Sequence, residues 1–162
     1  LNKLFTHTNE VEEFLRLSIQ FQHTLSNITN SVITKSPPLP LNTSTLQQLC
    51  SNQFNISPKQ TMSISQSLYE KGLITYMRTT STHLSTKFQE SAKKYITSTY
   101  SSNLCTHIST NDEQHAHEAI RPTNISKTFI DKSFSLLHQK IYKLIWKISL
   151  QSLMKKIGRA HV

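Results

Sequence analysis

The chain has 162 residues, a mass of 18.6 kDa, a net charge of +9 and a pI of about 9.7. That length holds one domain, or one domain and a piece of another, around a real apolar core. Apolar residues make up 36% of it, and no run approaches the roughly 18 apolar residues of a membrane span. The N-terminal stretch LNKLFTHTNEVEEFLR is amphipathic and carries acids, so it is not a signal peptide.

The basic excess suits a polyanionic partner such as nucleic acid. It equally suits a solvated basic surface, because the lysines and arginines are scattered along the chain and form no tail. Cys50 and Cys105 have no CxxC partner, which argues against a zinc ribbon or a disulfide framework, and they read as free thiols. The first residue is Leu1 rather than methionine, so the chain is expected to begin inside a longer protein. Residues 157–162, IGRAHV, are the translation of one frame of a short-read library adapter. They are expected not to be native and are set aside from fold reasoning.

In chain order, residues 10–23 mix helical and alternating apolar spacing, which leaves the element type open. From Asn27 to Pro40 the chain is polar and then proline-rich, and reads as a connector. Ser44 with Gln47 forms a capping-box pattern ahead of Leu46, Leu49, Cys50 and Phe54, predicting a helix. Ser57 before Pro58, with Gln60 three residues after the serine, opens a second helix that Gly72 stops. Leu73 to Met77 has no room to be helical and is expected to be extended. Ser85 is placed to cap a helix carrying Phe88, Ala92, Tyr95, Ile96 and Thr99 on one side. Periodicity then vanishes from Ser101 to Thr128, a long loop of the kind that carries function. A last helix from about Ser135 to Met154 aligns Leu137, Ile141, Leu144, Ile145 and Ile148. The expected fold is mainly α with short extended segments.

Two stretches could carry chemistry. In LYEKGLITYMRTTS, residues 68–81, an extended backbone sends Tyr76 and Arg78 to one face and Thr75 and Met77 to the other. A phenol, with its pKa of about 10, is a weak nucleophile at neutral pH; a fixed guanidinium favours the phenolate and can grip a phosphate through two hydrogen bonds. The plainer reading is a tyrosine packed at a domain surface. In HAHEAIRPT, residues 115–123, His117 can hydrogen-bond an oxygen, Arg121 can hold a phosphate, and Pro122 stiffens the backbone. His115 and His117 at i, i+2, with Glu118 adjacent, could also ligate zinc, but no further ligand stands at a recognised spacing. Glu118 and Arg121 could simply pair with each other.

Together the two stretches resemble type IA DNA topoisomerases, whose active-site segment usually reads Y-x-R-T-D-S and whose second signature looks like HEAIRPT. PLNTSTLQQ, residues 40–48, resembles the segment that opens the same domain, and KIYKLIW, residues 140–146, its closing helix. The matches run in order over about residues 36–154, and YMR with HEAIR favours the bacterial topoisomerase I branch over the topoisomerase III branch.

The resemblance implies a division into the end of a preceding gate or arch domain with its connector (1–36) and the catalytic-tyrosine domain (37–156). It implies that Tyr76 attacks a phosphodiester of single-stranded DNA, giving a 5′-phosphotyrosine link and a 3′-hydroxyl, and that passage of a strand and religation relax negative supercoils. Arg78 and His117 would act with Tyr76 in catalysis. Thr43, Ser44, Thr45, Ser81, Glu118 and Arg121 would contact or shape the DNA site. The implied protein is a monomer working on single-stranded segments of negatively supercoiled duplex, cytoplasmic in a bacterium and organellar or nuclear in a eukaryote. The implied cofactor, Mg²⁺, belongs to an acidic Toprim domain lying N-terminal to this region, and no D-x-D cluster occurs here. One departure stands inside the motif: Thr80 replaces the usual Asp. That replacement motivates a second reading, a catalytically degenerate relative that only binds single-stranded DNA.

Overall fold

The structure is a computed structural model that describes residues 5–22, 31–100, 104–105, 117–155 and 157–161. Its elements are α1 (Thr8–Ser18), β1 (Ser31–Lys35), α2 (Thr43–Phe54), α3 (Pro58–Glu70), α4 (Thr86–Thr99), α5 (Leu136–Gln151) and β2 (Ile157–His161). The fold is mainly helical, as the pattern predicts. Among the described residues no helix is long and apolar enough to cross a membrane. The chain divides into two units, Leu1–Ile33 with Ala160–Val162, and Thr34–Arg159.

The first unit carries α1, which resolves the ambiguous spacing of residues 10–23 in favour of a helix up to Ser18. No residue of α1 is buried, and its aromatic contact is Phe14 against Phe5, with ring centroids 5.2 Å apart.

β1 corrects the connector expected over 27–40. Val32, Ile33 and Thr34 are three β-branched residues in a row, stiff at χ1 and suited to extended backbone. They form a strand whose partner, β2, is made of the residues 157–161 set aside above, and the irregular, proline-rich connector runs from residue 36 onward.

In the second unit the local signals act as sequence chemistry predicts. The Ser57 hydroxyl accepts the Gln60 N–H at 3.2 Å while Pro58 takes the first helical position of α3, where a missing N–H costs nothing. At the other end of α3, Gly72 adopts φ +66°. Its N–H bonds the Tyr69 carbonyl at 2.8 Å and the Leu73 N–H bonds the Leu68 carbonyl at 3.0 Å. These two bonds make a Schellman ending, with Leu68 and Leu73 buried beside it.

α2 starts two residues earlier than the Ser44 capping box predicts. Its cap is Asn42, whose Oδ1 accepts the Thr45 N–H at 2.9 Å while the Thr45 hydroxyl accepts the Asn42 N–H at 3.0 Å. Asn and Ser cap about equally well, so the sequence offered two overlapping boxes.

The core has two clusters. One joins Leu46 and Cys50 of α2, Ile64 and Leu68 of α3, and Ile141 and Ile145 of α5 to Leu41, Ile74, Met77 and Ile120 from the connecting segments. The other gathers Phe88, Ala92 and Ile96 of α4 with Ala119, Ile125, Trp146 and Leu150. Because α5 serves both, its buried face is wider than the predicted stripe: Tyr142, Trp146 and Leu150 are buried as well, whereas Leu137 and Ile148 are only partly covered. Trp146 Nε1 donates to the Ile125 carbonyl at 2.7 Å and Tyr142 Oη to the Lys127 carbonyl at 2.6 Å. These bonds anchor a loop that has no ladder of its own. Burial pushes the Tyr142 phenol up to about 12. Cys50 and Cys105 are free and buried, and burial raises the Cys50 thiol to about 11 against the opposing hydrogen bond with Thr61.

Truncating Leu46, which is 0% exposed at the α2 contact, removes packed methyls from the first cluster. Leu46→Ala is expected to lower unfolding stability by about 2–5 kcal/mol in urea titration. Leu39→Ala, at a side chain 74% exposed, should change it by less than about 0.5 kcal/mol. Equal effects would contradict the core assignment.

Candidate active site

The turn at Gly72 delivers the chain into LITYMRTTS in extended form. Ile74 forms an antiparallel bridge with Pro122. Burial then alternates residue by residue: Tyr76 exposed, Met77 buried, Arg78 exposed, Thr79 buried, Thr80 exposed. Met77 is 1% exposed and belongs to the first core cluster, while Tyr76 is 46% exposed. The apolar side chain between them therefore fixes which way the phenol and the guanidinium face. Tyr76 rests edge-on against Tyr69 in the last turn of α3, with ring centroids 5.3 Å apart at 68°. Arg78 has no carboxylate partner: the single ion pair among the described residues is elsewhere.

The N-terminus of α2 clamps this segment. The Thr43 hydroxyl donates to the Met77 carbonyl at 2.8 Å and accepts the Thr79 N–H at 2.9 Å, and the Thr43 N–H donates to the Thr79 carbonyl at 3.0 Å. Asn42 Nδ2 reaches the Thr80 carbonyl at 3.5 Å. The backbone on both sides of Arg78 is thus held by one threonine. Of the three positions expected to meet phosphate, Thr43 and Thr45 have hydroxyls engaged by the protein, whereas Ser44 is exposed and accepts a long bond, 3.5 Å, from Gln48 Nε2. Ser81 accepts the His83 N–H at 3.1 Å and donates its own N–H to the Thr79 hydroxyl at 3.0 Å, shaping the turn that leads to α4.

HEAIRPT comes alongside from the far end of the sequence. The Ile120 N–H donates to the Leu41 carbonyl and the Ala119 N–H to the His83 carbonyl, both at 2.7 Å. On the other side Thr75 donates its N–H to the Arg121 carbonyl (2.9 Å) and its hydroxyl to the Ala119 carbonyl (2.7 Å), and accepts the Arg121 N–H (3.0 Å). The Thr123 N–H reaches the Leu73 carbonyl at 3.1 Å, and its hydroxyl the Gly72 carbonyl at 2.7 Å. His117, exposed, stands two residues before Ala119, whose carbonyl is held by the neighbour of Tyr76. His115 lies outside the described residues.

Glu118 and Arg121 are a structural pair. One Glu118 oxygen accepts the N–H of Ser85, the residue that precedes α4, at 3.0 Å; the other accepts from Arg121 Nη2 at 2.6 Å. Arg121 also stacks over the Phe88 ring, 4.5 Å from its centroid, and donates Nη1 to the Pro122 carbonyl at 3.1 Å, leaving its buried Nε without a partner. Burial raises the Glu118 carboxyl, but the Ser85 hydrogen bond and the Arg121 charge outweigh it and hold the group below its ordinary value of 4.5.

Residues 2–161 match the sequence profile of the family described as DNA topoisomerase. The chain belongs to the bacterial topoisomerase I branch of the type IA DNA topoisomerases. It is 37% identical over 153 residues to the prokaryotic-type DNA topoisomerase 1 of Acanthamoeba polyphaga mimivirus, covering 91% of this chain and 18% of that protein. It is 40% identical over 164 residues to DNA topoisomerase 1 of Buchnera aphidicola (96% and 19%), and 36% over 161 residues to that of Zymomonas mobilis (95% and 13%). The structure of full-length topoisomerase I from Thermotoga maritima superposes with a TM-score of 0.73 at 33% identity, over 98% of this chain and 27% of that one. The chain therefore spans about a fifth or less of the relatives' length, and the likeness extends beyond the 36–154 that the motifs alone indicate.

Within this topoisomerase chain the structure brings Tyr76, Arg78, Thr43 and the Glu118–Arg121 loop into one hydrogen-bonded assembly. Sequence reasoning missed two members. Tyr69, the ring behind Tyr76, stands on a helical turn that looks like ordinary surface; Thr75, the junction of both stretches, carried no signal beyond its place before the tyrosine.

The depressed Glu118 carboxyl fixes a pH dependence. Its unfolded form binds protons more readily than its folded form, so the stability it contributes is present above about pH 4.5 and is lost as pH falls through the lower folded value. The unfolding free energy of the wild type minus that of Glu118→Gln should shrink as chemical denaturation is repeated from pH 7 down to pH 3. A difference that stays constant or grows on acidification would contradict the pairing.

Proposed function

We propose that this chain supplies the nucleophile and the phosphate grip for transient cleavage of one DNA strand, and that the longer protein uses that gate to relax negative supercoils. The observation that carries the reading is the alternating burial of residues 76–80, which turns Tyr76 and Arg78 outward together while Met77 and Thr79 are fastened inside. Tyr76 loses its phenolic proton as Oη bonds to phosphorus; the bond from phosphorus to the 3′ oxygen breaks, and that oxygen takes up a proton to leave as a 3′-hydroxyl. The 5′ end remains on the tyrosine, and the reverse attack reseals the strand. Arg78 carries no competing carboxylate and presents its forked donors to the phosphate oxygens. His117, exposed at the start of the loop, contacts a phosphate near the break. Ser44 is the exposed hydroxyl of the α2 N-terminus, where a helix dipole favours an anion. Ser81, Glu118, Arg121, Thr43 and Thr45 act by holding this surface in shape.

The Mg²⁺ implied by the family does not fit here: among the described residues no three His, Cys, Asp or Glu groups gather, and Glu118 is held by Ser85 and Arg121. No step above uses the ion, which we assign to the acidic domain of the longer protein.

In the full-length protein, Tyr76→Phe should abolish the covalent protein–DNA adduct and relaxation while single-stranded DNA binding persists; an adduct that survives the substitution would sink the proposal. Thr80 supports the second reading, a relative that binds single-stranded DNA without cutting it. Thr80 is exposed next to Arg78 and offers no charge where the family pattern has Asp. Thr80→Asp in the full-length protein separates the two: measurable cleavage before the change, or a gain after it, supports the enzyme, and no cleavage in either form supports the binder.

A further inference from the structure

Fastening residues 75, 77 and 79 fixes where the Cα–Cβ bond of Tyr76 points, but not how the ring is turned about it. On extended backbone two settings of χ1, about 180° and about −60°, are both common, and they place a phenol oxygen several ångströms apart. No hydrogen bond chooses between them, because among the described residues the Tyr76 hydroxyl has no partner. What touches the ring is Tyr69, edge-on at 5.3 Å between centroids and 68° between planes.

Tyr69 is itself held in place from the backbone side. It stands in the last turn of α3, next to Leu68, which is 0% exposed in the first core cluster. Its carbonyl accepts the Gly72 N–H at 2.8 Å, and the Gly72 carbonyl accepts the Thr123 hydroxyl at 2.7 Å, so the helix end beneath the ring is tied to the loop that follows HEAIRP. The Tyr69 ring belongs to neither core cluster. With Tyr69 40% and Tyr76 46% exposed, the contact adds little to the core, and its chief effect is on the direction of the two rings.

We infer that Tyr69 is a positioning residue for strand cleavage: its ring holds the Tyr76 phenol in the rotamer whose oxygen reaches the scissile phosphorus. The inference rests on the cleavage reading above and adds a residue seven positions before the nucleophile, outside the Y-x-R-T-D-S pattern. Tyr69 touches no reacting atom; it acts by keeping the nucleophile from swinging away. An edge-to-face ring pair shifts a two-rotamer equilibrium by up to about tenfold. A nucleophile in the other rotamer is far outside attack distance, so the lost population appears directly as lost rate.

The test is single-turnover cleavage of a labelled single-stranded oligonucleotide by the full-length protein, read as the rate of covalent adduct formation at saturating protein. The Kd for the same oligonucleotide is measured on each variant carrying Tyr76→Phe as well, so that no strand is cut. Tyr69→Ala should lower the rate about 3- to 10-fold and leave Kd unchanged. Tyr69→Phe keeps the ring and should cleave at the wild-type rate. So should Tyr100→Ala, which removes a tyrosine 52% exposed at the end of α4. Circular dichroism verifies the fold of each variant. A wild-type rate in Tyr69→Ala, an equal loss in Tyr69→Phe or Tyr100→Ala, or a loss carried by Kd overturns the positioning role and leaves the cleavage reading standing. Failure of the wild type to form an adduct overturns both.

Discussion

The backbone of residues 119–123 is hydrogen-bonded along both edges without belonging to a strand, and the arrangement of the site depends on it. On one edge it holds Leu41, at the entrance to α2, and His83, at the approach to α4; on the other it holds Gly72, Leu73 and Thr75, the run into Tyr76. A buried amide or carbonyl left unpaired costs about 1–3 kcal/mol, so a segment with this many partners has few alternative positions. Three stretches far apart in sequence are brought together by one strip of chain. The strip is in turn held from behind, where Ala119 and Ile120 are 0% exposed and Trp146 and Tyr142 bind the carbonyls that follow.

That constraint explains how a flexible sequence type can turn Tyr76 and Arg78 outward together. Around Tyr76 there is no helix and no sheet, only isolated bridges, and such backbone is ordinarily free to turn. Here Thr75 is fastened on one side of the tyrosine and Met77 on the other, the first by Arg121 and Ala119, the second by Thr43 and the core. The same Thr43 holds Thr79, beyond Arg78. Every other residue is fixed and those between are left exposed, which orients Tyr76 and Arg78 chiefly through their neighbours. Arg121 has the opposite character: ion-paired, stacked on Phe88 and mostly covered, it braces the loop.

Much of this was legible in the sequence because it rests on local chemistry. Ser57-Pro58 and Gly72 mark the ends of α3 through bonds spanning only a few residues, and the extended face of Tyr76 and Arg78 follows from the period of two once helix is excluded. The features that were not legible involve either competing local signals or distant partners. Asn42 outcompeted Ser44 as the cap because its side chain finds Thr45 and Thr80 at once. The β-branched run at Val32–Thr34 was overshadowed by the prolines that follow it. The role of Thr43 as a clamp depends on a partner 34 to 36 positions away, and that of Thr75 on one 44 to 46 away, separations at which periodicity carries no information.

With Thr75, Met77 and Thr79 fastened, Tyr76 is expected to be the residue that takes the DNA. The most direct test is peptide mapping by mass spectrometry of the covalent adduct trapped on a single-stranded oligonucleotide by the full-length protein. The account predicts a phosphonucleotide remnant on Tyr76, linked through the 5′ phosphate. A remnant on Tyr69 or on any other residue, or a link through the 3′ phosphate, would contradict it.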